Sequence, residues 1–281
     1  MVYPDLKGKV AVVTGGSGVL CSEFCRALGK AGAKVVVAGI DPKEKGDAVV
    51  EEIVKNGGEA MNVYMNVLDK DQLKECHELI LKTYGPCDIL INGAGGNNPK
   101  ASTDCEFFDD QVMLDPNKKS FFDLDQSGFD FVFKLNFNGT LFPCQEFAKD
   151  MIGRPGSVII NVSSMNSFTP LTKIPAYSAA KAAISNFTQW LATHFAKEGI
   201  RVNAIAPGFF STAQNAALLW NADGTPTART GKILNNTPMG RFGKPEELIG
   251  TLLWLVDNDA SGFVTGTVIP VDGGFSAYSG V

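Results

Sequence analysis

The chain has 281 residues, 44% of them hydrophobic, and a formal net charge of −5, so it can bury a sizeable core but offers no basic field for nucleic acid. Its six cysteines are scattered without a CxxC pair and only His77 and His194 could join them, which argues against a structural zinc site or any other metal. No apolar run reaches the roughly 18 residues of a membrane span, and the N-terminus lacks a signal-peptide core, so the expectation is a cytoplasmic protein with no membrane partner.

A first apolar strand is predicted over 10–13. Directly behind it comes Thr14-Gly15-Gly16-Ser17-Gly18-Val19-Leu20-Cys21, opening a helix near 20–31. Glycines permit a tight turn and close backbone approach to a pyrophosphate, which the helix N-terminus then holds with free N–H groups, so Gly15, Ser17, Gly18, Val19 and Leu20 are candidate cofactor contacts. A second strand over 35–38 leads to Asp41, about 20 residues beyond the glycine loop. An acidic side chain there suits a ribose 2′-hydroxyl and repels a 2′-phosphate, which favours NAD over NADP although Lys43 and Lys45 lie close by. Asp41 could instead cap the next helix, predicted over 43–56.

A third strand over 61–64 precedes Asn66 and Val67, followed by a helix over 70–84 and a fourth strand over 89–91 that runs into Asn92-Gly93-Ala94-Gly95. Residues 96–127 then form a long connection rich in Asn, Asp and Phe, and a helix is predicted over 128–152. The fifth strand, 158–160, ends in Asn161-Val162-Ser163-Ser164, before a helix over 176–198, a sixth strand over 202–205, a second long connection over 208–243, a helix over 245–257 and a last strand over 268–271. Continuous apolar strands alternating with helices specify an α/β chain with a doubly wound (Rossmann) seven-stranded parallel sheet. No Pro/Gly/Ser linker divides it, so 1–281 is taken as a single domain. Both long connections leave the carboxyl edge of the sheet, where such folds bind ligands, and are expected to be substrate loops.

The sharpest constellation is Tyr177-Ser178-Ala179-Ala180-Lys181. Spacing of i,i+4 puts the phenol and the ammonium on one helix face, where the cation would favour the phenolate and make the tyrosine a usable acid/base. Ser164 at a strand's carboxyl end can donate to a carbonyl oxygen that gains negative charge.

These marks resemble the short-chain dehydrogenase/reductase family over essentially the whole chain: the glycine loop, residues 92–95, Leu135-Asn136-Phe137-Asn138-Gly139, Ser164 thirteen positions before Tyr177, Lys181, Pro207-Gly208 followed by Thr212, and Val271-Asp272-Gly273-Gly274. The resemblance implies a catalytic tetrad of Asn136, Ser164, Tyr177 and Lys181. It also implies cofactor contacts from Asn66, Val67, Asn92, Ala94, Gly95, Tyr177, Lys181, Pro207, Gly208, Phe210 and Thr212, and a homo-oligomer, commonly a tetramer. One departure stands out. Where the family pattern has two glycines this chain has Val19 and Cys21, so a modified phosphate loop is expected. Within the family, residues 95–103 resemble members acting on the sugar acid D-mannonate. Asn97, Asn98 and Lys100 would then meet substrate hydroxyls and carboxylate, beside Ser164, Asn166 and Tyr177, with Arg241 as a further carboxylate candidate. A gluconate 5-dehydrogenase or polyol dehydrogenase, or outside enzymes a catalytically silent dinucleotide sensor, are the competing readings.

Overall fold

A computed structural model describes residues 3–212 and 216–280. Seven parallel strands form one sheet: β1 (Val10–Thr14), β2 (Lys34–Gly39), β3 (Glu59–Tyr64), β4 (Ile89–Asn92), β5 (Val158–Val162), β6 (Arg201–Pro207) and β7 (Val268–Val271). Their spatial order is β3-β2-β1-β4-β5-β6-β7, and every neighbouring pair is parallel. The order reverses between β1 and β4, which opens a crevice at the carboxyl ends of those two strands.

The alternation of side chains along each strand produces two apolar layers, because successive residues face opposite sides. Ala11, Val13, Val35, Val37, Ile89, Ile91, Val158 and Ile160 face one layer; Val10, Val12, Val36, Leu90 and Ile159 face the other. Helices α1 (Val19–Lys30) and α2 (Lys43–Lys55) cover the first face with Phe24, Leu28, Val49 and Ile53, and α3 (Lys70–Thr83) covers the second with Leu73 and Ile80. Among the described residues no helix is long and apolar enough to cross a membrane.

The connection over 96–127 is more built than its sequence suggests. It contains a 3-10 turn at Pro99–Ala101, helix α4 (Asp110–Leu114) and a second 3-10 turn at Phe121–Asp123. Each piece is started by a polar side chain that accepts from the exposed N–H groups: Asn98, Asp109, and Ser120 paired with Asp123 in a capping box. These turns are too short to show an apolar period, so composition alone reads them as loop.

The predicted helix over 128–152 is broken in the structure. Helix α5 (Gln126–Phe133) runs into a π-turn at Lys134–Asn138 before α6 (Gly139–Met151) continues. A π-turn inserts one residue without changing the apolar spacing enough to be read from sequence, and such insertions gather at functional sites. Helix α7 (Pro175–Phe195) follows β5. Beyond β6 come α8 (Ala216–Leu219), α9 (Ala228–Asn235), α10 (Ile249–Val256) and α11 (Asn258–Ser261), so the second long connection also carries helices.

Candidate active site

The crevice is built first from glycines. Gly15 has φ 65°, a left-handed conformation, and a Cβ there would come within 3.0 to 3.1 Å of the Ala94 and Gly93 backbone. The two strand ends are joined by Thr14, whose hydroxyl accepts from Gly93 N at 3.1 Å and Ala94 N at 3.3 Å. Helix α1 begins at Val19 with Gly18 at its N-cap and no side chain capping its first N–H groups. That leaves the N-terminus of a twelve-residue helix at the crevice, a geometry suited to an anion.

The two departures from the glycine pattern find a physical account here. Val19 is simply the first helical residue. Cys21 turns inward and is buried, occupying the space over Gly93 so closely that any Cβ at position 93 would collide with its sulfur. Burial pushes its thiol up to about 12, so it is not a reactive thiolate.

Asp41 stands beside this loop, accepting from the Ser17 hydroxyl at 2.6 Å with Lys45 at 3.9 Å. It does not cap α2, whose N-cap is Pro42. Asn66 uses Oδ1 to accept from Leu68 N, and neighbouring Val67 is buried against Gly139. Asn92, expected at the cofactor, sends its side-chain amide into the sheet, donating to Asn161 Oδ1 at 2.9 Å and contacting Cys144 Sγ at 3.1 Å. Its Oδ1 is buried with no partner. Across the crevice, Pro207 ends β6, Gly208 packs directly on Asp272, and the Phe210 ring is buried against Gly243. Thr212 is described and half-buried; residues 213–215 lie outside the described residues.

At the centre four side chains converge from three elements. The π-turn presents Asn136, fully buried, whose amide donates to Gly96 O at 2.7 Å and Val132 O at 2.8 Å while its Oδ1 accepts from Gly96 N at 3.3 Å. A Cβ on Gly95 would fall 2.7 Å from Asn136 Oδ1 and 3.3 Å from Lys181 Nζ, so the segment 95–96 is threaded between those two side chains. Strand β5 delivers Ser164, and α7 delivers Tyr177 and Lys181. The lysine is 4% exposed and donates to Val162 O at 2.8 Å. Its ammonium lies 5.6 Å from the Tyr177 ring centre. Removal from water lowers Lys181 to about 8.

The tyrosine differs from expectation. Burial raises the Tyr177 phenol above its ordinary value, and the Ser164 hydroxyl, hydrogen-bonded to it, pulls only partly the other way. The physical reason is that burial of the phenol outweighs the help of its neighbours: the ammonium lies 5.6 Å from the ring centre, and loss of water weakens its own charged form.

The loop candidates are placed at the rim. Asn97 donates to Ser102 Oγ at 3.1 Å, and Asn98 Oδ1 caps the turn by accepting from Lys100 N at 2.9 Å, so both help to build the loop. The exposed Lys100 ammonium has no hydrogen bond or ion pair among the described residues. Asn166 is buried beside Ser178, with its Oδ1 unpartnered. Arg241 is not free for a substrate: Glu247 holds both its terminal nitrogens at 2.7 Å. Sequence reasoning missed a link between the two long connections, where Lys232 of α9 grips Glu106 at 2.8 and 2.9 Å, because no local signal marks partners 126 residues apart.

A family profile for short chain dehydrogenases matches residues 9–221. An uncharacterised oxidoreductase of Haemophilus influenzae is 57% identical over 277 residues, covering 99% of this chain and 96% of that one. A second from Bacillus subtilis (strain 168) is 54% identical over 280 residues, covering 100% and 99%. A solved structure from Haemophilus, given the provisional name D-mannonate oxidoreductase and containing bound NAD, superposes with a TM-score of 0.95 at 56% identity, covering 99% of this chain and 98% of that one. With the profile spanning most of the chain and relatives this close over its full length, the chain belongs to the short-chain dehydrogenase family, and is an oxidoreductase acting on CH–OH groups.

Proposed function

We propose that this enzyme interconverts a secondary alcohol and a ketone on a sugar acid, D-mannonate and D-fructuronate, using NAD. The observation that carries the reading is the convergence of Asn136, Ser164, Tyr177 and Lys181 beside a glycine-lined crevice. That crevice fits a dinucleotide: the uncapped start of α1 suits the pyrophosphate, and Asp41 suits a ribose hydroxyl and opposes a 2′-phosphate. When bound, the nicotinamide supplies the hydride acceptor or donor.

The protein's part is proton movement and orientation. Ser164 Oγ accepts from Asn166 N at 3.3 Å, so its single proton, which meets the Tyr177 oxygen, is the one that turns to a bound substrate oxygen. Tyr177 gives its phenolic proton to that oxygen during reduction and takes it back during oxidation. Lys181 has two donors beyond the one held by Val162 O, enough to hold ribose hydroxyls while steadying the phenolate. Asn136 fixes the segment 95–96 against the site. Lys100, with an unoccupied ammonium on the rim, receives the substrate carboxylate.

The test is turnover by the purified protein with NADH and NADPH against D-fructuronate, other keto-uronates, 5-ketogluconate and a neutral ketose. D-fructuronate with NADH is expected to give the highest kcat/KM. Tyr177→Phe should lower turnover by about 10²-fold or more while sparing cofactor binding. Lys100→Met should raise KM for the acid alone, about ten- to a hundredfold. A preference for 5-ketogluconate or for the neutral ketose would replace the substrate, and cofactor binding without turnover of any ketone would point to a dinucleotide sensor.

A further inference from the structure

We propose that Ser163 is a positioning residue for Lys181, fixing the lysine backbone so that its ammonium is kept over the Tyr177 ring. The inference rests on the roles proposed above for Tyr177 and Lys181.

Three consecutive residues at the carboxyl end of β5 each meet the site helix. Val162 O accepts from Lys181 Nζ at 2.8 Å. Ser163 Oγ, 2% exposed, lies 3.2 Å from Lys181 O and 2.8 Å from Ser185 Oγ. Ser164 addresses Tyr177. Lysine 181 is therefore held at both ends, its ammonium by residue 162 and its carbonyl by residue 163.

The protons allow one consistent chain. Lys181 O has no hydrogen to give, so Ser163 donates to it; the single Ser163 proton is then spent, and Ser185 must donate to Ser163 Oγ. The carbonyl tied down belongs to the same residue whose ammonium Val162 O holds, so the two bonds together fix where that turn of α7 sits against β5 and hence where the lysine stem starts. Hydrogen bonds of this kind matter because proton transfer is steep in geometry, and a displacement of about 1 Å can cost about 10²-fold. The ionisable neighbours of the Lys181 ammonium are Tyr177 and Cys21, and the latter is held as a neutral thiol. Tyr177 is thus the group that would register any drift of the lysine.

Three variants of the full chain, Ser163→Ala, Ser163→Thr and Ser185→Ala, decide the matter when kcat, KM for the cofactor, the pH profile of the oxidation and the thermal midpoint are measured together. Ser163→Ala should lower kcat about 5- to 10-fold, less than the roughly 10²-fold of a 1 Å displacement because Val162 O still holds the ammonium. It should also move the rising limb of the oxidation profile to higher pH. Ser163→Thr keeps the hydroxyl and should restore the position of the limb. Ser185→Ala removes the half-buried head of the chain and should give the same displacement at smaller size, which settles the question if Ser163→Ala does not fold. A wild-type kcat and limb in Ser163→Ala, or a lower thermal midpoint with no movement of the limb in either alanine variant, overturns the proposal. Tyr177→Phe is run alongside: if it stays active, the reading of the site has failed; if it is inactive while Ser163→Ala is normal, only the present inference has.

Discussion

At Lys181 the charge is kept where water is scarce. Its folded value of about 8 lies below the 10.5 of a free lysine, so between those pH values the unfolded chain holds more protons and the residue's contribution to stability improves as pH rises. Below pH 8 the burial cost is fully present. Tyr177 is displaced upward, so at neutral pH it rests as the phenol, ready to donate. On the role proposed for Tyr177, oxidation draws on the small phenolate fraction and should therefore accelerate from pH 7 to pH 9, while reduction, which draws on a phenol that stays protonated throughout that range, should stay nearly level; initial rates in both directions check this, and an oxidation optimum near pH 6 would contradict it. Tyr177, Lys181 and Ser164 were legible because their spacing is local or lies at a strand end. The raised phenol was not, since i,i+4 spacing tells which face two residues share and not how far burial will weigh on the hydroxyl. A second residue-level expectation concerns Cys21 and Gly93. Gly93→Ala should destabilise the protein, because its Cβ would strike the Cys21 sulfur and approach Thr14 O at 2.8 Å. Adding Cys21→Ala should recover part of the loss, and a double-mutant cycle in denaturant measures how much; strictly additive losses would mean that the two positions do not share that space.

Among the elements, α7 has the most exacting placement, and a buried polar ladder helps to set it. Asn92 on β4 donates to Asn161 on β5, Asn161 Nδ2 donates to Thr188 Oγ1 at 2.9 Å, and Thr188 returns to its own helix at Ile184 O. Asn92 and Asn161 are also partners in the register of the two strands. Thr188→Val keeps the shape and strands the Asn161 donor, a loss of about 1–3 kcal/mol. For a chain of this size each kcal/mol lowers the thermal midpoint by about 2–4 °C, so calorimetry should show a drop of several degrees, and an unchanged midpoint would deny the ladder its role. The sequence announced α7 and both strands through apolar periodicity. It did not announce the ladder, because a buried asparagine and a cofactor-facing asparagine at a strand end look alike. The π-turn was hidden for a related reason: one added residue leaves the apolar stripe of 128–152 nearly intact while turning Asn136 toward Gly96.

For the whole molecule, the strand pattern was enough to anticipate seven parallel strands, since runs such as Val35–Val36–Val37 must be covered on both faces. The joining of the two long connections through Glu106 and Lys232 lay beyond reach, as nothing local ties residues so far apart. The reversal of strand order between β1 and β4 has a consequence for how the enzyme could be assembled from pieces. The glycine loop and Asn136 belong to the first half of the chain, whereas Ser164, Tyr177 and Lys181 belong to the second, and the halves meet along β4 and β5. An exposed turn at Gly153, with φ 69° and open space around it, separates them. Cutting after Gly153 would leave Arg154 on the second fragment facing Asp88 of the first at 2.6 Å, a contact that can guide their reunion. Neither fragment carries a complete site, so each alone should be inactive, and mixing them should restore turnover with a dependence on the product of their concentrations. Activity from a single fragment would show that the chemistry needs fewer of these side chains than the crevice brings together.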